Sequence, residues 1–265
     1  MDKEDSGGRT IGAVENAIQI VRTLQRLEGA TLADLAAEVE LTKGTIHTHL
    51  VTLQRERLVE KTNGEWRLSN HFIPLGEHVR NQNILYRTGK QEIDELAERT
   101  GETVHLIVED DGLETIIYEA FGEQAVGEHY YLYNREKPER LLHDSAAGKA
   151  ILAYLPEERV QDIAATHGLP EQTKRTITDI DELLDELSTV REREYAMNDQ
   201  EAVLGIRAVG VPIFGPDDSV LGAISCSAPA SRFDSEQLEG EIPRLLKEYA
   251  NIIEVNIQTD QLNRF

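Results

Sequence analysis

The chain has 265 residues, enough for one large or two ordinary domains, and 40% of them are hydrophobic, which excludes wholesale disorder. Its 49 acidic and 27 basic residues give a formal net charge of −22, and this lysine-poor acidity resembles proteins of extreme halophiles, haloarchaea in particular, with an ordinary acidic cytosolic protein as the alternative. The single cysteine, Cys226, excludes an internal disulfide framework and a multi-cysteine zinc site.

The start of the chain, MDKEDSGGRT, is polar and lacks the apolar stretch of a signal peptide. No run of 18 or more apolar residues follows it, so no segment is expected to span a membrane. We therefore expect a cytoplasmic protein with no membrane partner.

Three short helices are predicted next. Residues 14–27 carry apolar side chains at helical spacing, and Gly29 ends that helix. Thr31 is predicted to cap a second helix, and Thr42 a third helix over residues 42–58. Three short helices with a tight turn between the second and the third indicate a helix-turn-helix. The same geometry also serves protein–protein contacts, which remains the alternative.

The third helix has two distinct faces. Ile46, Leu50 and Leu53 fall at i, i+4 and i+7 and mark its buried side. The opposite side is predicted to carry Gly44, Thr45, Thr48, Thr52 and Arg55. Small hydroxyl side chains allow a close approach to base edges, and Gly44 lets the backbone come near. His47 and His49 lie on the flanks and diverge, so no metal is expected there.

A hairpin is predicted after the third helix. Asn63-Gly64 is a strong two-residue turn signal, and Trp66 and Leu68 alternate on the return strand. We interpret the hairpin as a wing that reaches sugar-phosphate or a minor groove. The predicted DNA-binding residues of the whole region are Thr31, Thr42, Lys43, Gly44, Thr45, His47, Thr48, Thr52, Arg55, Lys61, Asn63 and Arg67.

The distribution of charge supports this assignment. Residues 1–83 hold 12 acidic and 10 basic residues, whereas residues 84–265 hold 37 and 17. A strongly acidic surface repels DNA, so any nucleic-acid surface is expected in the first third. The stretch from Leu41 to Arg55 contains no acid at all.

Strands and helices alternate in the rest of the chain, and they predict an antiparallel sheet flanked by helices. The overall class is therefore α+β, with a winged helix-turn-helix at residues 1–69, a linker helix at 70–84 and the sheet domain at 85–265. Helices are predicted at 85–101, from Ser145, at 156–168, at 179–196 and at 234–257. Strands are predicted at 103–108, 113–121, 128–134, 206–215 and 219–228.

Three stretches resemble the IclR-type transcription regulators: LTKGTIHTHLVTLQRERLVE, LHDSAAGKAILAYLP, and EREYAMNDQEAVLGIRAVGVPIF followed by GAISCSAPASRF. Their order and separation make the resemblance more specific than the helix-turn-helix alone. It implies a winged helix, a linker helix and a GAF-like sensor domain, assembled as a dimer or a dimer of dimers on palindromic operators. It also implies a ligand-responsive repressor or activator of catabolic genes, controlled by a small metabolite.

The resemblance assigns the effector site to Leu142, Ala146, Ala147, Asn198, Ala208, Ser225 and Ser227. In chemical terms, a helix that begins at Ser145 turns the N–H groups of Ala146 and Ala147 outward, where they suit a carboxylate. Ser225 and Ser227 lie two apart on a strand and face the same side. The alternative is that these small residues only fill space.

Two positions depart from the family pattern. Asn198 stands where many relatives have aspartate, and Ala208 where some have cysteine. Asparagine donates as well as accepts, and alanine leaves room, so a simple keto acid fits less well than a larger sugar-derived or aromatic acid. The sequence does not choose between these two classes.

An enzyme and a purely architectural DNA-binding protein are the two alternative functions. An enzyme lacks support, because SAAGKA fails the phosphate-loop pattern at His143 and Ala150, and no nucleophile elbow accompanies His143, Asp144 and Ser225. A purely architectural DNA-binding protein would be basic and would not need the large acidic domain. We expect no catalytic residues, no cofactor and no metal.

Overall fold

The computed structural model describes residues 9–126 and 140–262. The chain divides into two compact units, Met1–Val79 and Arg80–Phe265. The strand predicted at residues 128–134 lies outside the described residues. In the described ranges, no helix is both long and apolar enough to cross a lipid bilayer.

The N-terminal unit begins with helices α1 (Gly12–Arg26), α2 (Leu32–Glu38) and α3 (Lys43–Arg55). Thr31 caps α2 in a reciprocal capping box with Asp34, and the Thr42 hydroxyl caps α3 by accepting from the N–H of Thr45 at 3.2 Å. Both predicted caps are confirmed. The core of the unit contains Ile20, Leu24, Leu35, Ile46, Leu50, Leu53 and Trp66.

The predicted hairpin is also confirmed. Strands β1 (Val59–Thr62) and β2 (Glu65–Leu68) pair antiparallel, and Asn63 and Gly64 connect them with φ of 54° and 91°. Positive φ at both central residues is what a type I′ turn requires, and asparagine and glycine tolerate it. Helix α4 (Phe72–Gln82) follows.

The C-terminal unit contains a five-stranded antiparallel sheet. Helix α5 (Ile84–Thr100) precedes it and ends at Gly101, in the left-handed conformation with φ of 74°. The strands are β3 (Thr103–Asp110), β4 (Leu113–Phe121), β5 (Ala196–Asp199), β6 (Ile206–Phe214) and β7 (Val220–Pro229). Their order across the sheet is β4-β3-β7-β6-β5.

Helices pack on both faces of this sheet. One core is shared by α5, the inward side chains of the strands and the last helix, α9 (Ile242–Leu262). The other core is shared by α6 (Ala146–Leu152), α7 (Glu157–His167) and α8 (Ile180–Arg193). The alternation along β7 sends Ile224 and Cys226 to the first core and leaves Ser225 and Ser227 on the face of α6.

Several predicted boundaries were wrong. The third helix, predicted over residues 42–58, ends at Arg55, and Arg57 adopts a left-handed conformation with φ of 63°. The helix predicted at 179–196 ends at Arg193, because Glu194 adopts a left-handed conformation with φ of 63° and the chain then enters β5, a strand that was not predicted. The last helix begins close to the predicted Asp234, passes through a π-helical turn at Gln237–Glu241 and continues to Leu262 instead of ending at Ile257. The hydrophobic period alone does not distinguish that turn from α-helix.

Candidate functional site

A cavity of about 180 Å³ lies in the C-terminal unit, lined by residues of the sheet and of the start of α6. The strand register builds its floor. Ser225 of β7 is opposite His105 of β3 and Gly210 of β6, and Ser227 is opposite Ala208. Because paired residues in a sheet point to the same face, these side chains converge although they come from three strands.

Gly210 sets how closely α6 approaches the sheet. A Cβ atom at this position would lie 2.4 Å from the carbonyl carbon and oxygen of Ala146, a distance that real structures do not allow. The Ser145 hydroxyl caps α6 by accepting from the N–H of Gly148 at 2.8 Å. The first N–H groups of a helix have no acceptor within the helix, so the start of α6 brings donors to the cavity wall.

Six of the seven effector residues assigned from the sequence line this cavity. They are Ala146, Ala147, Asn198, Ala208, Ser225 and Ser227. The seventh, Leu142, is buried in the core around α6 to α8 and is not among the lining residues. An apolar side chain there contributes packing rather than a wall of the cavity.

Asn198 is already engaged within the protein. Its Nδ2 donates to the carbonyl oxygen of Asp144 at 2.7 Å, and its Oδ1 accepts from the N–H of Glu201 at 2.9 Å. An aspartate in this place would accept the second bond but not donate the first, unless it were protonated. Asparagine therefore joins the segment before α6 to the turn after β5, in addition to lining the cavity.

One wall of the cavity is charged, which the sequence did not predict. Glu114 is buried and receives hydrogen bonds from Nε and Nη2 of Arg140 at 2.9 and 2.7 Å, and a further bond from the Ser145 hydroxyl. Both arginine bonds end on Oε1 and the serine bond on Oε2, and charge-assisted hydrogen bonds to both carboxylate oxygens stabilise the ionised group away from water. A glutamate in a strand of mostly apolar residues was the available sequence signal, but its partner is 26 residues away.

Two further ionisable groups line the cavity with shifted pKa values. Burial raises the pKa of Asp144 to about 7, and the neighbouring Glu114 carboxylate adds to the shift while Arg140 opposes it. Burial lowers the pKa of His105 to about 3, with a smaller contribution from Arg140. At neutral pH the His105 imidazole is therefore uncharged, and the pKa of Asp144 lies near neutrality instead of in the usual acidic range.

Lys149, the lysine of the SAAGKA stretch, does not face the cavity. It is 1% exposed, and its Nζ lies 2.7 Å from both carboxylate oxygens of Glu201. His143 is also turned away from any catalytic arrangement, because its ring contacts the carbonyl oxygen of Pro170 at 3.2 Å. The residues that superficially resemble a phosphate loop or a triad therefore have structural contacts.

The outward face of α3 forms a second candidate surface, in the N-terminal unit. Lys43, Gly44, His47, Thr48, Thr52 and Arg55 are exposed, and Thr42 and Thr45 join their hydroxyls at 2.9 Å at the start of the helix. Thr31 is less available, because its hydroxyl is committed to the capping box with Asp34. The acid-free face is therefore continuous along α3.

The wing residues have contacts of their own. The Lys61 ammonium lies 5.2 Å from the ring centroid of Trp66, and Arg67 Nη2 lies 3.0 Å from Glu65 Oε2. Asn63 is exposed at the tip of the turn. Of the three predicted wing residues, Lys61 and Asn63 have no acidic partner among the described residues, whereas Arg67 has Glu65.

Family models match both units of the chain. The IclR helix-turn-helix domain model matches residues 13–63, and the model for the bacterial transcriptional regulator IclR C-terminal region matches residues 77–255. A probable HTH-type transcriptional regulator, ArcR, of Halobacterium salinarum is 42% identical over 252 residues, covering 95% of each chain.

Solved structures give the same result. The crystal structure of an IclR protein of Thermotoga maritima matches with a TM-score of 0.72 at 27% identity, covering 94% of this chain and 99% of that one. The inducer-binding domain of PobR from Acinetobacter, a double mutant in complex with 3-hydroxybenzoic acid, matches with a TM-score of 0.55 at 25% identity, covering 62% of this chain and 94% of that domain. The chain therefore belongs to the IclR family, and it is a transcription regulator with a helix-turn-helix DNA-binding domain and a ligand-binding C-terminal domain, not an enzyme.

Proposed function

We propose that this regulator binds palindromic promoter DNA through α3 and the wing, as a dimer or a dimer of dimers, in the cytoplasm of a halophile. An organic or sugar-derived acid in the cavity changes the population of DNA-competent forms and so represses or activates catabolic genes. The proposal rests on one observation: a strongly acidic chain contains both an acid-free helix surface, on α3, and a polar cavity in its C-terminal unit.

Contacts at the start of α3 support the DNA-binding half. Among the described residues, a Cβ atom at Gly44 would meet only the Thr42 hydroxyl, at 3.9 Å, so their packing does not require glycine there. Glycine weakens a helix by about 1 kcal/mol relative to alanine. Close approach of DNA to the start of α3 accounts for Gly44, which packing among the described residues does not require. The proposed contacts are those assigned from the sequence on α3 and the wing.

Substitutions at Arg55 and Thr48 test this half. Arg55→Ala is expected to weaken binding to all duplexes and to lower the slope of log affinity against log salt by about 1, because it removes one phosphate contact. Thr48→Ala is expected to lower the ratio of specific to non-specific affinity about fivefold. Fluorescence anisotropy with the DNA upstream of the regulator's own gene, over a KCl series, measures both.

Arg244→Ala, which removes an exposed arginine of α9, is the matched control and should leave both quantities unchanged. If the wild-type chain bound the upstream DNA no more tightly than unrelated duplex at any KCl concentration, the DNA-binding proposal would be wrong. Unchanged binding by both variants would instead show that another face of α3 meets the DNA.

The polar groups of the cavity support the effector half. The N–H groups of Ala146 and Ala147 suit a carboxylate, and Ser225, which lines the same cavity, carries a hydroxyl that suits a further hydrogen bond to the ligand. Ile107, Val203 and Ile206 supply apolar walls, which a ring or a carbon chain requires. The PobR domain holds a hydroxybenzoic acid, which combines a carboxylate, a ring and a hydroxyl.

A thermal-shift screen tests the effector half with gluconate, galacturonate, 4-hydroxybenzoate and 3-hydroxybenzoate. A ligand at 100 times its Kd is expected to stabilise the protein by about 2.7 kcal/mol. Ser225→Ala should weaken the affinity of that ligand about fivefold, since one hydrogen bond is worth about 1 kcal/mol. Ser188→Ala, on the exposed side of α8, is the control. Equal weakening by both variants would place the ligand elsewhere.

Exposed apolar side chains support self-association. In the N-terminal helices, Val14 and Ile18 of α1 are 57% and 46% exposed, and Leu75 and Val79 of α4, also four residues apart, are 49% and 66% exposed. Aligned apolar side chains on a helix surface favour an isologous contact with a second copy, and a two-fold dimer matches the symmetry of a palindromic operator.

A further inference from the structure

The outward face of α3 carries hydroxyl groups whose hydrogens are used inside the helix. Thr48 Oγ1 donates to the carbonyl oxygen of Gly44 at 3.0 Å, and Thr52 Oγ1 donates to that of Thr48 at 3.0 Å. A threonine hydroxyl has one hydrogen, so each oxygen keeps only lone pairs for a partner outside the protein. Beyond the helix, the two side chains therefore offer acceptors and methyl groups.

Val51 lies among these side chains. It follows Thr48 by three residues and precedes Arg55 by four, and such positions are neighbours on a helix surface. Its side chain is 47% exposed, in a helix whose buried residues are Ile46, Leu50 and Leu53. A β-branched residue contributes little to helix formation at an exposed position. Val51 and the two threonine methyl groups together form an apolar ridge on the surface proposed to meet DNA.

The chemistry of this ridge matches one kind of base pair. In the major groove, the C5 methyl group of thymine is the apolar group that base edges present, and the paired adenine offers an N6 amino donor to a lone pair. Guanine presents acceptors at N7 and O6, which hydroxyls without a free hydrogen do not serve, and the N4 amino group of cytosine serves a lone pair, but a G·C pair has no methyl group for the apolar ridge. A·T pairs satisfy both the methyl groups and the lone pairs of this face.

We propose that Val51 is a specificity-determining residue that, with the methyl groups of Thr48 and Thr52, packs on thymine methyl groups in the major groove and selects A·T pairs. The inference rests on the proposed binding of DNA by α3. Apolar contact is not screened by salt, whereas the range of charge–charge attraction falls to about 3 Å near 1 M salt. A reader of this kind suits a chain with a net charge of −22.

The experiment begins with selection of duplexes from a random-sequence pool by the full chain in buffered KCl. Each thymine of the selected site is then replaced singly by deoxyuridine, which pairs identically but lacks the methyl group. The wild type is expected to lose affinity about fourfold at one or more thymines, the effect of one methyl-sized group. At the thymine that Val51 contacts, Val51→Ala is expected to bind thymine and deoxyuridine duplexes equally, whereas thymines contacted by the methyl groups of Thr48 or Thr52 keep their sensitivity.

Val255→Ala, an exposed valine of α9, is the matched control and should keep the wild-type sensitivity. Deoxyuridine without effect at every thymine would overturn the proposal, and so would a Val51→Ala protein that keeps the full loss at every sensitive thymine. A pool from which no sequence is enriched would contradict DNA reading by this chain altogether.

Discussion

Replacing Lys149 by methionine is expected to lower the free energy of unfolding by about 3–5 kcal/mol. Lys149 is buried, and its Nζ lies 2.7 Å from both carboxylate oxygens of Glu201 and 3.8 Å from Glu186. Glu186 keeps a second partner, because Arg193 Nη2 lies 2.7 Å away. Methionine would therefore leave the Glu201 carboxylate buried without its cation, which costs far more than the loss of an exposed pair.

Urea denaturation at a fixed KCl concentration measures this effect. Lys247→Met is the control at the surface: Lys247 Nζ lies 2.8 Å from the exposed Glu194 and donates to the Arg193 carbonyl oxygen at 2.9 Å, so its loss should cost no more than about 1–2 kcal/mol. The double variant Lys149→Met/Glu201→Met should recover more than half of the loss, since it removes the buried charge as well. Equal losses in Lys149→Met and Lys247→Met would show that the buried pair contributes no more than an exposed one.

The same ion pair connects stability with the cavity. The carbonyl oxygen of Glu201 accepts from the hydroxyls of Thr173 and Thr176 at 3.2 and 2.7 Å, and its N–H donates to Asn198. Ala202 and Val203, which follow directly, line the cavity. Lys149 thus holds Glu201, and with it the adjoining wall segment Ala202-Val203, in position, although Lys149 itself does not line the cavity.

The elements of the N-terminal unit could be predicted from the sequence because their signals are local. The Thr31 and Thr42 caps and the Asn63-Gly64 turn depend on residues within three positions of each other. The buried face of α3 follows from helical periodicity in the same way. Such signals do not depend on where the rest of the chain lies.

The charged wall of the cavity could not be predicted, because distant segments assemble it. Glu114 comes from β4, Arg140 precedes α6 by six residues, and His105 reaches the site only through its register with Ser225. A sequence does not show whether a strand glutamate is buried or solvated. Strand β5 was missed for a related reason, since four residues are too few to show a period.

The difference in unfolding free energy between Asp144→Asn and the wild type is expected to shift by about 4 kcal/mol in favour of the variant between pH 4 and pH 8. Burial raises the pKa of Asp144 from its ordinary value of 3.8 to about 7, the Glu114 and Glu201 carboxylates add to the shift, and Arg140 opposes it. A raised pKa in an acid means that the folded state favours the protonated form. The stability contributed by that proton is complete below pH 4 and is lost as the pH rises through 7.

The measurement is the difference between the unfolding free energies of Asp144→Asn and the wild type at several pH values, in urea at a fixed KCl concentration. Taking the difference cancels the titration of the other acidic residues. Between pH 5 and pH 8 it should grow by roughly 2.5 kcal/mol in favour of the variant. Asp185→Asn, on the exposed side of α8, carries the same change of charge and should show a flat difference. A flat difference for Asp144→Asn as well would mean that the cavity hydrates this carboxylate fully. The cavity would then carry a full negative charge at neutral pH, which would oppose an acid effector.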